Sequence, residues 1–336
     1  FIMNSELEQI AAEVDTLSQK LQALKAEIGK VIIGQERTVD QLLITFLAGG
    51  HALLEGVPGL AKTLMIRTLA DAIDLKFKRI QFTPDLMPSD ILGTEILEED
   101  HSTGRKFFKF NKGPIFSNII LADEINRTPP KTQAALLEVM QEFSVTYGDQ
   151  TYPLENPFFI LATQNPIEQS GTFVLPEAQQ DRFLLYIAIG YPDAGEEAAI
   201  LKATTGTTRT RLQKVISGAD ILRLQELVRE VSISDPLIDY VSEMVRATRP
   251  DTSKLEYVRK WVDWGAGPRA GQAMILTAKA NALLQGRLSV TPEDIRAVVY
   301  PVFRHRILVN FRAESEGIRS DSVTAEILDK IEYKAS

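Results

Sequence analysis

Near the start of the chain, apolar residues recur at Leu7, Ile10, Val14, Leu17, Leu21, Leu24 and Ile28, alternately three and four positions apart. That spacing paints one stripe along a helix. Packing on the chain's own body is the plainer use of such a stripe, and docking onto a neighbouring molecule is the sharper one. From residue 50 to residue 190 the period changes. Short apolar runs at His51–Leu54, Lys78–Phe82, Ile119–Ala122, Phe158–Thr163 and Phe183–Ile189 predict strands. Leu60–Ala72 and Lys131–Gln141 predict helices between them, the second preceded by Pro129 and Pro130, which a first helical turn tolerates. Apolar strands alternating with helices predict a parallel sheet covered on both faces.

Two stretches interrupt the alternation. Thr94–Leu97 and Lys106–Phe110 flank a turn at Asp100-His101-Ser102-Thr103-Gly104, and Ser144–Tyr147 and Thr151–Leu154 flank Gly148-Asp149-Gln150. Both predict hairpins inserted into the sheet fold. Beyond Tyr191-Pro192-Asp193, helical patterns take over at Asp220–Val231, Pro236–Thr248, Pro268–Gln285, Pro292–Tyr300 and Thr324–Tyr333. The division expected is an N-terminal amphipathic helix over 1–30, a core over 31–192 and a helical domain over 193–336. The length of 336 residues suits such a plan.

Charge and composition narrow the function. The chain carries 37 basic and 45 acidic side chains, a net −8. Residues 1–200 hold 16 basic and 28 acidic groups, and residues 201–336 hold 21 and 17. An acidic surface argues against general nucleic-acid binding, which rests on neutralising phosphates. The absence of cysteine excludes a disulfide scaffold, a thiol nucleophile and a thiolate metal site. The start, Phe1-Ile2-Met3-Asn4, lacks the pattern of a signal peptide, and no run reaches the length of a membrane span. A cytoplasmic location without membrane insertion is the default expectation.

The strand at His51–Leu54 runs into Gly56-Val57-Pro58-Gly59-Leu60-Ala61-Lys62-Thr63-Leu64 and then a helix. Strand, glycine turn and helix form a P-loop, whose amides and helix N-terminus cradle phosphates. Lys62 would reach the β- and γ-phosphates of ATP, and Thr63 would place its hydroxyl on Mg2+. Ala61 stands where glycine is usual before the lysine, a change that costs little if its backbone is helical. The buried run Ile119-Ile120-Leu121-Ala122 ends in Asp123 and Glu124. At the carboxyl edge of a parallel sheet these acids face a ligand: Asp123 for Mg2+, Glu124 for the water that attacks the γ-phosphate. The strand Phe158–Thr163 ends in Gln164 and Asn165. An amide there can bind that water and the γ-phosphate, with Asn165 the candidate over Gln164 and Thr163. Arg182, in Leu175-Pro-Glu-Ala-Gln-Gln-Asp-Arg-Phe183, is either a surface charge or an arginine finger for a neighbour's ATP, which requires an oligomer. Arg269 follows Pro268 in a helix's first turn, where a cation is disfavoured unless it has a partner such as phosphate.

Together these segments resemble the AAA+ ATPases and, within them, the MoxR family of the helix-2-insert clade. The likeness spans about Val31 to Gly317, with Gly56-Val-Pro-Gly-Leu-Ala-Lys-Thr63, Asp123-Glu-Ile-Asn-Arg127 and Ala162-Thr-Gln-Asn-Pro166 its most specific parts. It implies an α/β fold: a P-loop core with a parallel five-stranded sheet between helices, two β-hairpin inserts and an all-α C-terminal lid. It implies Lys62 and Thr63 as Walker A, Asp123 and Glu124 as Walker B, Asn165 as sensor 1, Arg182 as the finger and Arg269 as sensor 2. Arg127 is a second interface arginine to consider. Gly267 departs from the Ser more usual before Pro-Arg. Val31-Ile-Ile-Gly34-Gln35 resembles the adenine-side segment. The resemblance further implies ATP with Mg2+, self-association into a hexameric ring, protein clients and a von Willebrand factor A domain partner. The function it implies is a chaperone-like remodeler. A DNA-associated motor of helicase or loader type, and a nucleotide-dependent switch with little turnover, are the alternatives; the acidic charge opposes the first and an intact Glu124 the second.

Other features are weaker. His51, His101 and His305 lack metal-ligand spacing. Trp261 and Trp264 suggest lid packing. Lys106, Lys109 and Lys112 interleave with Phe107, Phe108 and Phe110, a pattern that can mean nucleic-acid contact but in a hairpin more often means alternating faces of a strand pair. That hairpin is the best candidate for an element facing a client.

Overall fold

A computed structural model describes residues 2–57, 59–99, 102–166, 171–205 and 211–334. Pro58 of the glycine turn, and Asp100 and His101 of the first hairpin's turn, lie outside the described residues. The core is a five-stranded parallel sheet of β1 (Ala52–Gly56), β2 (Phe77–Gln81), β5 (Ile119–Asp123), β8 (Phe159–Gln164) and β9 (Leu185–Ile189), in the spatial order β2-β5-β8-β1-β9. Side chains alternate between its faces, as the strand period requires. Ala52, Leu54, Ile119, Leu121, Phe159 and Leu161 join one apolar cluster, while Leu53, Ile120, Ala122, Ile160 and Ala162 join the other. The first cluster continues into α1 (Ile2–Gly29), α2 (Glu36–Leu47) and α3 (Lys62–Ile73); the second packs under α5 (Pro130–Glu142).

The two hairpins are present. β3 (Gly93–Glu99) pairs with β4 (Lys106–Lys112), preceded by the short α4 (Pro88–Leu92), and β6 (Ser144–Tyr147) pairs with β7 (Gln150–Pro153). They meet through Phe110, whose ring stacks on Tyr152 at 4.5 Å. The alternation expected for β4 holds only at this joint. Farther out, Phe108 remains 70% exposed, opposite Leu97.

After α6 (Glu177–Gln180) and β9, the chain is helical: α7 (Ala194–Thr205), α8 (Gly218–Glu230), α9 (Asp235–Ala247), α10 (Glu256–Trp261), α11 (Pro268–Leu284), α12 (Pro292–Phe303), α13 (Phe311–Ser315) and α14 (Ser320–Lys330). One short antiparallel pair interrupts it, β10 (Val262–Trp264) with β11 (Leu308–Val309), so the region is not purely helical. A register shift between Val262 and Trp264 accompanies the outward turn of Trp264. Trp261 is buried as lid packing requires, but Trp264 is 70% exposed, against that expectation. Helix α14 stops at Lys330, short of Tyr333.

The helical region grips the core through one turn. Arg306 is buried and spends its donors on Asp181 Oδ1 (2.7 Å), the Phe183 carbonyl (2.8 Å), the Leu184 carbonyl (3.1 Å) and the Val302 carbonyl (2.7 Å). Arg304 adds a bond to the Tyr186 carbonyl at 2.8 Å. A guanidinium stays charged in such burial only because its fork is filled this completely. Helix α1 spans the same junction. Leu17, Leu21, Leu24 and Ile28 are buried, Lys20 pairs with Asp220 at 2.9 Å, and Gln22 donates to the Leu284 carbonyl at 2.7 Å. From Val14 to Ile28 the stripe is therefore used within the chain, while the side chains of Leu7 and Ile10 lie outside the described residues. No helix among the described residues is long and apolar enough to cross a membrane.

One local expectation fails in an informative way. Helix α3 begins at Lys62, two residues later than the apolar pattern suggested, because Gly59 (φ 87°) and Ala61 (φ 55°) are left-handed. Ala61 is not helical, and its Cβ carries a strain of about 1–2 kcal/mol. Ala61→Gly relieves that strain but loosens the unfolded chain, so a net gain of up to about 1 kcal/mol is expected in denaturant unfolding. A loss of stability instead would show that the Ala61 methyl makes compensating contacts.

His51 makes a pH prediction. Buried before β1, it takes the Ile160 N–H at Nδ1 (3.0 Å) and meets the Met140 carbonyl at Nε2 (3.2 Å). Burial pushes its pKa down from 6.5 to about 4. The unfolded chain therefore binds this proton first as the pH falls. Stability is full above about pH 6.5 and is lost progressively toward pH 4, by up to about 3 kcal/mol. Buried His305 acts in the same direction. Unfolding midpoints at pH 7 and pH 5 should differ, and His51→Gln, which does not titrate, should flatten the difference. An unchanged slope would clear His51.

Candidate functional site

The middle strands β5, β8 and β1 are neighbours, so their carboxyl ends lie side by side. Register brings Leu54 beside Thr163 and Ala122 beside Ala162. At this edge opens a cleft of about 510 Å³, lined by the loop from Gly59 to Leu64 and by Arg79, Asp123, Glu124 and Asn165. Residues that three separate stretches of sequence had put forward thus converge, joined by Arg79 from a fourth, as the edge of a parallel sheet allows.

The glycine turn supplies donors. Left-handed Gly59 and Ala61 bend the backbone into a nest, and Ala61 caps α3 with no side-chain hydrogen bond. The first amides of α3 remain available to an anion. Lys62 donates from Nζ to the Gly56 carbonyl. Desolvation pulls its pKa below the ordinary lysine range, against the fields of Asp123, Glu124 and Glu55, which favour the charged form.

One hydroxyl ties the Asp123 carboxylate to the backbone of Glu124. Thr163 Oγ1 donates to Asp123 Oδ1 at 2.7 Å and accepts the Glu124 N–H at 2.9 Å. Glu124 adopts a left-handed backbone (φ 59°), turning the chain off the sheet. Its Oε2 accepts from Gln81 Nε2 (3.0 Å) and Arg127 Nη1 (3.1 Å). Arg127 therefore pairs within its own chain. Asp123 Oδ2 accepts from Arg79 Nε (3.0 Å) and Nη2 (2.6 Å). Of the three polar candidates at the end of β8, buried Asn165 lines the cleft, Thr163 orders the acids, and Gln164 does neither.

Arg79 and Gln81 escaped the sequence reading. Their period-2 spacing placed them on one face of a strand, but nothing local said that β2 pairs with β5, setting Gln81 opposite Asp123. The two other arginines stand outside the cleft lining. Arg269, in the first turn of α11, sits 3.4 Å from Asp181 Oδ2. Arg182 has no side-chain hydrogen bond or ion pair among the described residues, although Asp181 and Phe183 on either side are bound by Arg306.

The residues fit Mg2+ and a nucleotide. Thr63 and Asp123 offer the oxygen ligands a hard cation prefers, beside amides of the turn that have no partner among the described residues and suit phosphates. On the adenine side, Gly34 is left-handed (φ 73°), and a Cβ there would lie 2.5 Å from Glu196. Gln35 Oε1 is buried without a partner among the described residues, an acceptor suited to a ligand's N–H. Val31 and Ile32 share an apolar cluster with Val57 and Leu60.

Comparison with known proteins gives the family. Residues 51–185 match the ATPase family associated with various cellular activities, and residues 256–327 match the AAA lid domain. The chain is 44% identical to Chaperone MoxR1 of Mycobacterium tuberculosis, over 96% of this chain and 84% of that protein. It is 32% identical to Protein MoxR of Paracoccus denitrificans, over 85% and 88%. A crystal structure from Cytophaga hutchinsonii superposes with a TM-score of 0.90 at 45% identity, covering 98% of this chain and 99% of that one. The chain belongs to the MoxR family of chaperone-like AAA+ ATPases.

Proposed function

We propose that this protein hydrolyses ATP in a ring of identical subunits, a hexamer, and uses the energy to remodel client proteins. The observation that carries the reading is the cleft itself. It gathers a phosphate nest, Lys62, two carboxylates of separate environment and a buried amide at one strand edge. In this reading the P-loop amides and Lys62 hold the β- and γ-phosphates. Thr63 and Asp123 would hold Mg2+, which would supply neutralisation of the phosphate charge. Glu124 takes a proton from the attacking water as its oxygen bonds to the γ-phosphorus and the bond to ADP breaks. Asn165 fixes the water and the γ-phosphate in line. Arg269 leaves Asp181 to reach the same phosphate.

Arg182 supports the ring. The half-buried Arg182, unpaired among the described residues, stands between Asp181 and Phe183, both bound by Arg306, and a guanidinium left without a partner on a fixed backbone suits a finger acting on a neighbour's ATP. The relative named a chaperone supports protein clients. Exposed Leu97 and Phe108 make the first hairpin the client-facing element in this reading. A von Willebrand factor A domain protein is the partner class we favour, and the cytoplasm the location.

ATPase rate against protein concentration tests the reading. Glu124→Gln should lower kcat by about 100-fold or more while ATP still binds. Arg182→Ala should cost about 1000-fold in the assembled protein, with binding of ATP in its own cleft retained. Normal turnover by assembled Arg182→Ala would remove the finger; turnover by Glu124→Gln would remove the base.

A further inference from the structure

Arg79 lines the cleft but has no part in the steps above. Its two nitrogens converge on Asp123 Oδ2, at 3.0 and 2.6 Å, while Thr163 occupies Oδ1. The carboxylate assigned to the metal thus has one oxygen left for it, and that oxygen carries a guanidinium. With Lys62 and Arg79 against Asp123 and Glu124, the charged lining of the cleft balances without a metal. A guanidinium and a hydrated divalent cation compete for the same lone pairs.

We propose that Arg79 is a positioning residue of the ATP site, holding Asp123 in the metal's stead and releasing it when the metal enters with the nucleotide. The proposal rests on reading the cleft as an ATP site. It has two consequences of opposite sign. Without metal, Arg79 screens the approaching triphosphate from the Asp123 carboxylate. With metal present, Arg79 is its rival. A residue that merely supports the strand, or merely binds phosphate, would weaken nucleotide binding under both conditions. Arg79 is 48% exposed on the edge strand β2, so its removal leaves the core packing intact.

The full-length chain should be titrated with a non-hydrolysable ATP analogue, first in EDTA and then at fixed analogue with rising Mg2+. In Arg79→Ala, affinity in EDTA should fall about 3- to 10-fold, and the half-saturating Mg2+ concentration should also fall about 3- to 10-fold. Arg79→Lys, which keeps the charge but not the fork, should lie between Arg79→Ala and wild type in both. Lys78→Ala, exposed on the same strand, should match wild type. An unchanged or raised Mg2+ midpoint in Arg79→Ala, or the same shifts in Lys78→Ala, overturns the proposal while leaving the ATP site standing. A wild-type chain that binds no analogue at all overturns the ATP-site reading and this proposal with it.

Discussion

The parallel hydrogen bonding of β5, β8 and β1 is the constraint on which everything else rests. Three adjacent strands running the same way must finish at the same edge. Each carries its polar residues immediately after its apolar run, so the glycine turn, the acidic pair and Asn165 meet without any long loop to order. A register slip of one residue in β8 would turn Thr163 to the other face of the sheet and leave Asp123 and Glu124 without the hydroxyl that joins them.

Electrostatics explains how an acidic half holds an acidic ligand. Net charge acts over distances at which salt screens it, whereas the cleft works by contact. The amides opened by Gly59 and Ala61, the Lys62 ammonium and the oxygen ligands for a cation are placed groups, and the −12 balance of residues 1–200 does not act against them. The more basic C-terminal part contributes where it meets the core. Asp181 takes Arg306 at one oxygen and Arg269 at the other, so one carboxylate ties a lid arginine, the helix α11 arginine and the segment bearing Arg182. Strain concentrates at the same place. Of the four non-glycine residues with positive φ among the described residues, Ala61 and Glu124 border the cleft.

Much of the fold and the heart of the site were legible in the chain itself. The alternation of apolar runs announced the sheet, and the glycine turn and the Asp123-Glu124 pair announced the chemistry, because both depend on residues adjacent in sequence. Asn165 was readable for the same reason, standing at the end of a strand. Three features were misread where neighbours in space decided them. Ala61 reads as helical until the phosphate nest forces it left-handed. Trp264 reads as core until a register shift in a short strand pair turns it out. The β10–β11 pair is too short for any period to show.

The sequence by itself determined most of the elements, the place of the phosphate loop and the family, since periodicity and contiguous motifs are local properties of the chain. Tertiary structure alone decided which side chains touch. It set Arg79 and Gln81 against the acids, made Thr163 their common partner, sent Arg269 to Asp181, and folded α1 back over the junction of core and lid. The physical reason is that strand order and helix docking join residues far apart in sequence, as with Arg79 and Asp123 or Gln22 and Leu284, and no local pattern encodes which distant partner a face will meet.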